Sequence, residues 1–116
     1  MRDFKKLLIW EKGMIIARDS YRIVSSWPGF EKYTLGNQIL RAAVSIPSNI
    51  AEGNSRLSER DKKRYIEIAL GSCYELETQL MLSKEIGIND VLTLESLINE
   101  TREEQKLLIG FINKLN

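Results

Sequence analysis

Residues 91–115 read VLTLESLINETREEQKLLIGFINKL. One row of side chains in this stretch recurs at intervals of three and four residues: Val91, Leu94, Ile98, Thr101, Gln105, Leu108, Ile112 and Leu115. This spacing is typical of one face of an amphipathic α-helix. No stretch of comparable length alternates with a period of two, so no strands are expected. The sequence predicts a helix over about 91–115 in an all-α protein.

Three segments upstream show the same helical spacing. They span about 5–26, 33–53 and 59–87. Pro28 requires the first helix to end near residue 26, because proline disfavours a helical residue before it. Ser58 and Asp61 form an approximate capping box for the third helix, which Gly87 ends. Short connections force successive helices to pack antiparallel. We therefore expect residues 1–116 to form a single domain, an up-down-up-down antiparallel four-helix bundle.

The apolar residues exceed what the core of one bundle needs. In the first helix the core stripe is predicted to be Leu7, Trp10, Met14, Ala17, Tyr21 and Val24. A second apolar row lies beside the core stripe in the first, third and fourth helices: Ile9, Ile16, Ile23, Leu70, Tyr74, Met81, Leu97, Leu107 and Phe111. A monomer would leave many of these nine side chains in contact with water, as a larger patch than soluble monomers usually expose. They are the predicted subunit interface of a closed homo-oligomer.

The composition excludes several kinds of chemistry. The chain has no histidine, so it has no imidazole base and no histidine metal ligand. Its one cysteine, Cys73, is expected to be buried in the core and fits a reducing cytoplasm. The carboxylates Glu100, Glu103 and Glu104 are assigned to a solvated outer face. No apolar run is long enough for a membrane span or a signal peptide. No catalytic, cofactor or metal site is therefore predicted, and the protein is not expected to be an enzyme.

Positive and negative charges are separated along the chain. The net charge is +1, but residues 1–64 carry +6 and residues 65–116 carry −5. Five basic residues cluster between the second and third helices: Arg56, Arg60, Lys62, Lys63 and Arg64. Such a cluster is either the solvated start of a helix or a set of phosphate contacts. Equally, the two oppositely charged halves could attract each other within one chain or between subunits.

The second helix contains two unusual features. Pro47 lies inside its apolar pattern and predicts a kink, which either curves the helix around the core or shapes a pocket or subunit contact. A polar band borders the apolar stripe and consists of Gln38, Arg41, Ser45, Asn49 and Glu52. Half-buried polar groups need partners, so the band is either a structural network to another helix or subunit, or a ligand site. In the third helix, Gly71 next to Ser72 suggests a close approach of helices.

Several of these residues belong to a longer motif. Residues 41–53 read RAAVSIPSNIAEG, residues 69–72 ALGS and residues 75–80 ELETQL, and residues 8–12 open the chain with LIWEK. This pattern resembles the proteins encoded in intervening sequences of bacterial 23S ribosomal RNA genes, which are often labelled a ribosomal protein family. The resemblance covers nearly the whole chain. The motif positions are Arg41, Ser45, Asn49, Glu52, Gly71, Ser72 and Glu75.

The resemblance implies a left-handed four-helix bundle that assembles as a homopentamer in a family of unsettled function. A related accessory protein of diversity-generating retroelements is strongly basic and binds nucleic acid, whereas this chain is nearly neutral. Our leading hypothesis is a non-enzymatic, self-assembling bundle that serves as a scaffold or interaction module, without a cofactor and with itself as partner. The alternative is an RNA- or DNA-binding accessory protein that uses the basic segment 56–64.

Overall fold

The computed structural model describes residues 3–115. A short 3₁₀ turn, Phe4–Lys6, precedes five α-helices. These are α1 (Leu8–Ser25), α2 (Gly29–Tyr33), α3 (Leu35–Asn54), α4 (Glu59–Ile86) and α5 (Val91–Asn113). No strand occurs in residues 3–115, which confirms the all-α prediction. The bounds of the four long helices lie within three residues of those expected from the apolar spacing.

Helix α2 was not expected, because the sequence predicted only a connection there. Pro28 precedes the first residue of α2 with φ −60° and ψ 158°. Proline suits the start of a helix because the first N–H groups of a helix have no partner within it. Thr34, with φ −111° and ψ −92°, then separates α2 from α3. Five residues are too few for a helical period to be recognised in the sequence, so this single helical turn escaped the prediction.

The four long helices form a cycle of neighbours. Helix α3 packs against α1 and α4, and α5 packs against α4 and α1; α1 and α5 make the least extensive contact of these pairs. The indole N–H of Trp27 donates a 2.8 Å hydrogen bond to Oδ1 of Asn89, which joins the segment after α1 to the loop between α4 and α5. None of the helices within residues 3–115 has the length and apolar character that crossing a membrane requires.

The core face of α1 differs from the predicted one. Met14 and Tyr21 are 44% and 59% exposed, although they were assigned to the core stripe. The buried residues of α1 are Ile9, Gly13, Ile16, Ser20, Ile23 and Val24. Gly13 and Ser20 occupy two positions of this row, and the Ser20 hydroxyl is satisfied by the Ile16 carbonyl oxygen at 2.8 Å. The sequence prediction followed the large apolar side chains, whereas the helix buries the row that contains its small residues.

The observed burial also corrects the predicted subunit interface. Four of its nine residues lie in the hydrophobic core of the single chain and are unavailable to a partner: Ile9, Ile16, Ile23 and Leu97. Three more are partly buried and pack against that core: Leu70, Leu107 and Phe111. Only Tyr74 and Met81, both on α4, remain exposed. The surplus of apolar residues is real, but most of it completes the bundle.

Glycines allow α3 to approach its neighbours closely. An ideal Cβ on Gly36 would lie 2.7 Å from Cγ1 of Val24 on α1. A Cβ on Gly53 would lie 2.7 Å from Cβ of Tyr65 on α4. Real Cβ atoms do not come this close, so either side chain would push two helices apart. By contrast, a Cβ on Gly110 of α5 would meet nothing within 4 Å.

We therefore expect Gly53→Ala and Gly110→Ala to change stability in opposite directions. Gly53→Ala should lower the free energy of unfolding by about 1–3 kcal/mol through overpacking. Gly110→Ala should raise it by about 0.5–1 kcal/mol, because alanine is the better helix former. Urea denaturation at a single protein concentration measures both values. Equal effects of the two substitutions would show that α3 and α4 are not in close contact at Gly53.

Candidate functional site

Three of the seven motif residues come together between α3 and α4. The hydroxyls of Ser45 and Ser72 are hydrogen-bonded at 2.8 Å across the two helices. The side-chain amide of Asn49 donates to the Ser45 carbonyl oxygen at 2.8 Å and to the Ser45 hydroxyl at 2.9 Å. Ser72 is buried, while Ser45 and Asn49 are half-buried. Every member has a partner, so this serine–asparagine network can join α3 to α4 without leaving a polar group unsatisfied.

The other four motif residues lie outside this network. Arg41 and Glu75 are exposed, and their side chains make no hydrogen bond or ion pair within residues 3–115. The carboxylate of Glu52 accepts a 2.9 Å bond from Nη2 of Arg56, so its partner lies four residues further along the chain and not on another helix. A Cβ on Gly71 would meet nothing within 4 Å. The close approach expected at Gly71 is therefore absent within one chain.

The five basic side chains of the segment 56–64 have different contacts. Besides Glu52, Nη2 of Arg56 contacts the Tyr65 hydroxyl at 2.9 Å, and the Arg56 guanidinium lies 4.7 Å from the centre of the Tyr65 ring. Lys62 lies 3.8 Å from Glu59 and lines an apolar pocket at the end of the bundle. The remaining three, Arg60, Lys63 and Arg64, form no ion pair within the described chain. They line an open concavity of about 630 Å³ together with the acidic residues Asp61 and Glu67.

One acidic residue lies in the core, where the sequence analysis did not expect it. Glu104 was assigned to a solvated face, but it is fully buried and neither of its carboxyl oxygens has a hydrogen-bond partner within residues 3–115. Burial raises the pKa of Glu104 to about 8, and the ammonium group of Lys12 partly offsets this effect. The spacing contained the signal, because Glu104 lies three residues after Thr101 and four before Leu108, both on the predicted core stripe.

Cys73 is buried and free, as the sequence predicted. Burial raises the pKa of the Cys73 thiol, and the nearby carboxylate of Glu104 raises it further. The thiolate is the reactive form of cysteine, so neither exposure nor ionisation favours reaction here. Across residues 3–115, no three cysteine and carboxylate side chains come together as a possible metal site.

Acidic residues on the two sides of α5 have pKa values shifted in opposite directions. Towards α4, the Glu77 carboxylate accepts bonds of 2.7 Å from both Arg102 and Gln105, and these two bonds lower its pKa. Towards α1, burial and the adjacent charge of Asp19, together with a hydrogen bond to it, raise the pKa of Glu100. The ionised form is therefore stabilised on one side of α5 and disfavoured on the other.

Comparison with known proteins identifies a family. Residues 5–110 match the family model described as 23S rRNA-intervening sequence protein. A solved structure from Bacteroides thetaiotaomicron, a protein of unknown function from the S23 ribosomal protein family, superimposes with a TM-score of 0.83 at 28% sequence identity. The match covers 90% of this chain and 98% of that one. No curated protein matches the chain.

The hydrogen bond between Ser45 and Ser72 can be tested with a double-mutant cycle. Ser45→Ala and Ser72→Ala should each lower the free energy of unfolding, with a coupling energy of about 0.5–1.5 kcal/mol between them. The matched control cycle combines Ser72→Ala with Ser48→Ala instead of Ser45→Ala. Ser48 is an exposed serine of α3. The control pair should show no coupling. Strictly additive effects of Ser45→Ala and Ser72→Ala in urea denaturation would contradict the bond.

Proposed function

This chain belongs to the family of 23S rRNA-intervening sequence proteins, and we propose that it is a non-enzymatic subunit of a self-assembling ring. The subunit is an up-down-up-down antiparallel four-helix bundle with a left-handed turn, formed by one domain. The ring acts as a scaffold or interaction module in the cytoplasm. The free thiol of Cys73 supports that location, because lone buried cysteines without disulfides are typical of reducing compartments.

The outward surface of α4 carries this proposal. This helix exposes five large apolar side chains, each between 44% and 57% exposed: Ile68, Tyr74, Met81, Leu82 and Ile86. Gly71 lies among them with open space around it, which permits another helix to approach. Soluble monomers rarely expose apolar side chains grouped in this way, and such groups mark contacts with other proteins. A second copy of the chain is the proposed partner.

Charge supports a ring over a two-fold dimer. The first half of the chain is net positive and the second half net negative, which favours contacts between different surfaces of neighbouring copies. Arg41 on α3 and Glu75 on α4 are oppositely charged, exposed and without ion pairs within residues 3–115, so both are available to a neighbour. The number of subunits, five, comes from the family resemblance and not from these charges.

The assembly predicts a definite molar mass in solution. Size-exclusion chromatography with light scattering, at micromolar concentration and moderate salt, should give a closed homo-oligomer, five times the mass of the chain. Tyr74→Glu with Met81→Glu should produce smaller species that keep their helical circular dichroism, because the substituted side chains are exposed. The matched control is Leu57→Glu with Leu92→Glu, two leucines that are 93% and 74% exposed away from α4. A monomeric wild type would refute self-assembly, and dissociation of the control would refute the assigned surface.

Nucleic-acid binding is the second candidate function, and three cations without an ion pair within residues 3–115 favour it: Arg60, Lys63 and Arg64. They lie at the N-terminal end of α4, where positive charge opposes the helix dipole. Helix stability therefore does not account for them, whereas contacts to phosphate groups do. The binding would be independent of sequence, because single cations on a surface contact the backbone and do not read bases.

If three phosphates are contacted, affinity for a nucleic-acid duplex should fall about 40-fold between 50 and 200 mM salt, from a slope of about −0.9 per phosphate. Replacing Arg60, Lys63 and Arg64 by glutamine should flatten that slope. The control removes the same charge elsewhere, through Arg18→Gln, Lys106→Gln and Lys114→Gln, and should leave the slope nearly unchanged. Fluorescence anisotropy with a labelled duplex measures all three proteins. No binding at 50 mM salt, or binding indifferent to salt, would eliminate this function.

A further inference from the structure

The contact between α1 and α5 is unlike the other contacts of the bundle. It is the least extensive of the four pairs of neighbouring long helices. Two cavities, of about 430 and 210 Å³, open along it. Its ionisable groups include four carboxyls and two cations: Asp19, Glu100, Glu103, Glu104, Lys12 and Arg22. Acidic groups thus outnumber the cations that could neutralise them.

Glu104 is the most confined of these carboxyls. A Cβ on Gly13 would lie 3.3 Å from its Oε2 and 3.4 Å from the Pro47 nitrogen, so the carboxyl is wedged where α5 faces the α1–α3 crossing. Both oxygens lack a hydrogen-bond partner within the described chain. An ionised carboxylate in such a place is very unfavourable, whereas a neutral carboxyl is tolerated.

The groups that face Glu104 offer little compensation for a negative charge while the bundle is closed. Helix α1 contributes Lys12, whose ammonium group is held 3.4 Å from Oε2 of the exposed Glu103. Helix α4 contributes Cys73, which is neutral, and the α3 atoms beside Gly13 at this place belong to the uncharged Ile46 and Pro47. On α5 itself Glu103 and Glu100 precede Glu104 by one and four residues, and the basic residues two positions to either side, Arg102 and Lys106, are exposed. Deprotonated Glu104 therefore has no direct hydrogen-bond or ion-pair partner within residues 3–115.

We propose that Glu104 is a proton-controlled latch for the contact between α1 and α5. When it is neutral, the carboxyl is accommodated in the core and the two helices stay together. When it loses its proton, the charge is relieved by separation of α1 from α5, which admits water and frees Lys12 to reach the carboxylate. The other three contacts remain closed. Gly36 and Gly53 allow α3 to pack closely against its neighbours, and Arg102 of α5 donates a hydrogen bond to Glu77 of α4.

The direction of the pH dependence follows from linkage. The pKa of Glu104 is about 8 in the closed bundle, against 4.5 for an ordinary glutamate. Between these values the closed form keeps a proton that the open form releases, so the closed form is favoured most below pH 4.5 and loses its advantage as pH rises towards 8. With full hydration of Glu104 in the open form, the opening equilibrium rises about tenfold per pH unit in this window. Glu100, whose pKa is also raised, adds a change of the same sign.

Cys73 serves as a natural probe of opening, because it is fully buried beside Glu104. We would measure its labelling by a maleimide in the full-length protein from pH 5.5 to 8, relative to the unfolded chain at the same pH. This ratio removes the intrinsic effect of pH on the thiol. The protection of Cys73 should fall about 100-fold over that range in the wild type and less than tenfold in Glu104→Gln. The matched control is Glu11→Gln, which removes an exposed carboxylate of α1 that forms no ion pair within residues 3–115, and it should behave like the wild type.

Hydrogen exchange locates the opening. After correction for intrinsic rates, amides of α1 and α5 should lose protection as pH rises, while those of α3 keep it. Equal loss in all four long helices would overturn the proposal, because it would indicate global unfolding. Protection of Cys73 that does not change with pH would overturn it as well. Carboxyl NMR of the wild-type protein supplies a test that needs no variant, and a titration midpoint of Glu104 near 4.5 would exclude the latch.

Discussion

The close approach of α3 to α1 and α4 is the constraint on which the rest of this structure depends. Gly36 removes the Cβ that would strike Val24, and Gly53 removes the one that would strike Tyr65. Only helices this close can join the hydroxyls of Ser45 and Ser72 across their interface by a bond of 2.8 Å. The short glycine contacts and the polar network are therefore two results of one geometry. The same geometry buries Ile39, Ala43 and their neighbours completely.

The apolar period predicted the long helices because it is repeated many times in each of them. It failed where small residues carry the packing. In α1 the buried row contains Gly13 and Ser20, which add little hydrophobicity, while Met14 and Tyr21 on the exposed side add much. The apolar spacing assigns the buried face of a helix from its large apolar side chains, but two helices approach most closely where the side chains are smallest. Helix α2 was missed for another reason, since five residues cannot show a period.

The candidate site divides in the same way. The spacing of the polar band in α3 placed Ser45 and Asn49 at the edge of the core, and the structure gives them partners there. It did not reveal the partner of Glu52, because Arg56 reaches back to it only after the chain leaves α3 through Ser55. Four residues is the separation of neighbours on one helix face, but Arg56 lies beyond the end of α3 at Asn54 and was assigned to the basic segment. The spacing from Thr101 and Leu108 indicates that Glu104 lies on the buried side of α5. Glu104 was nevertheless assigned to a solvated face, because acidic residues are normally solvated.

A cycle of four helices has a property that a linear stack lacks. When one of its four contacts opens, three remain, and the chain stays folded. Here the contacts of α3 are close and the contact between α4 and α5 contains the doubly bonded Glu77. The α1–α5 contact instead has cavities and the buried Glu104, whose pKa is raised by burial. The α1–α5 contact is therefore the one that opens most easily. The exposed apolar residues of the proposed subunit contact lie on α4, so opening leaves the subunit contact available.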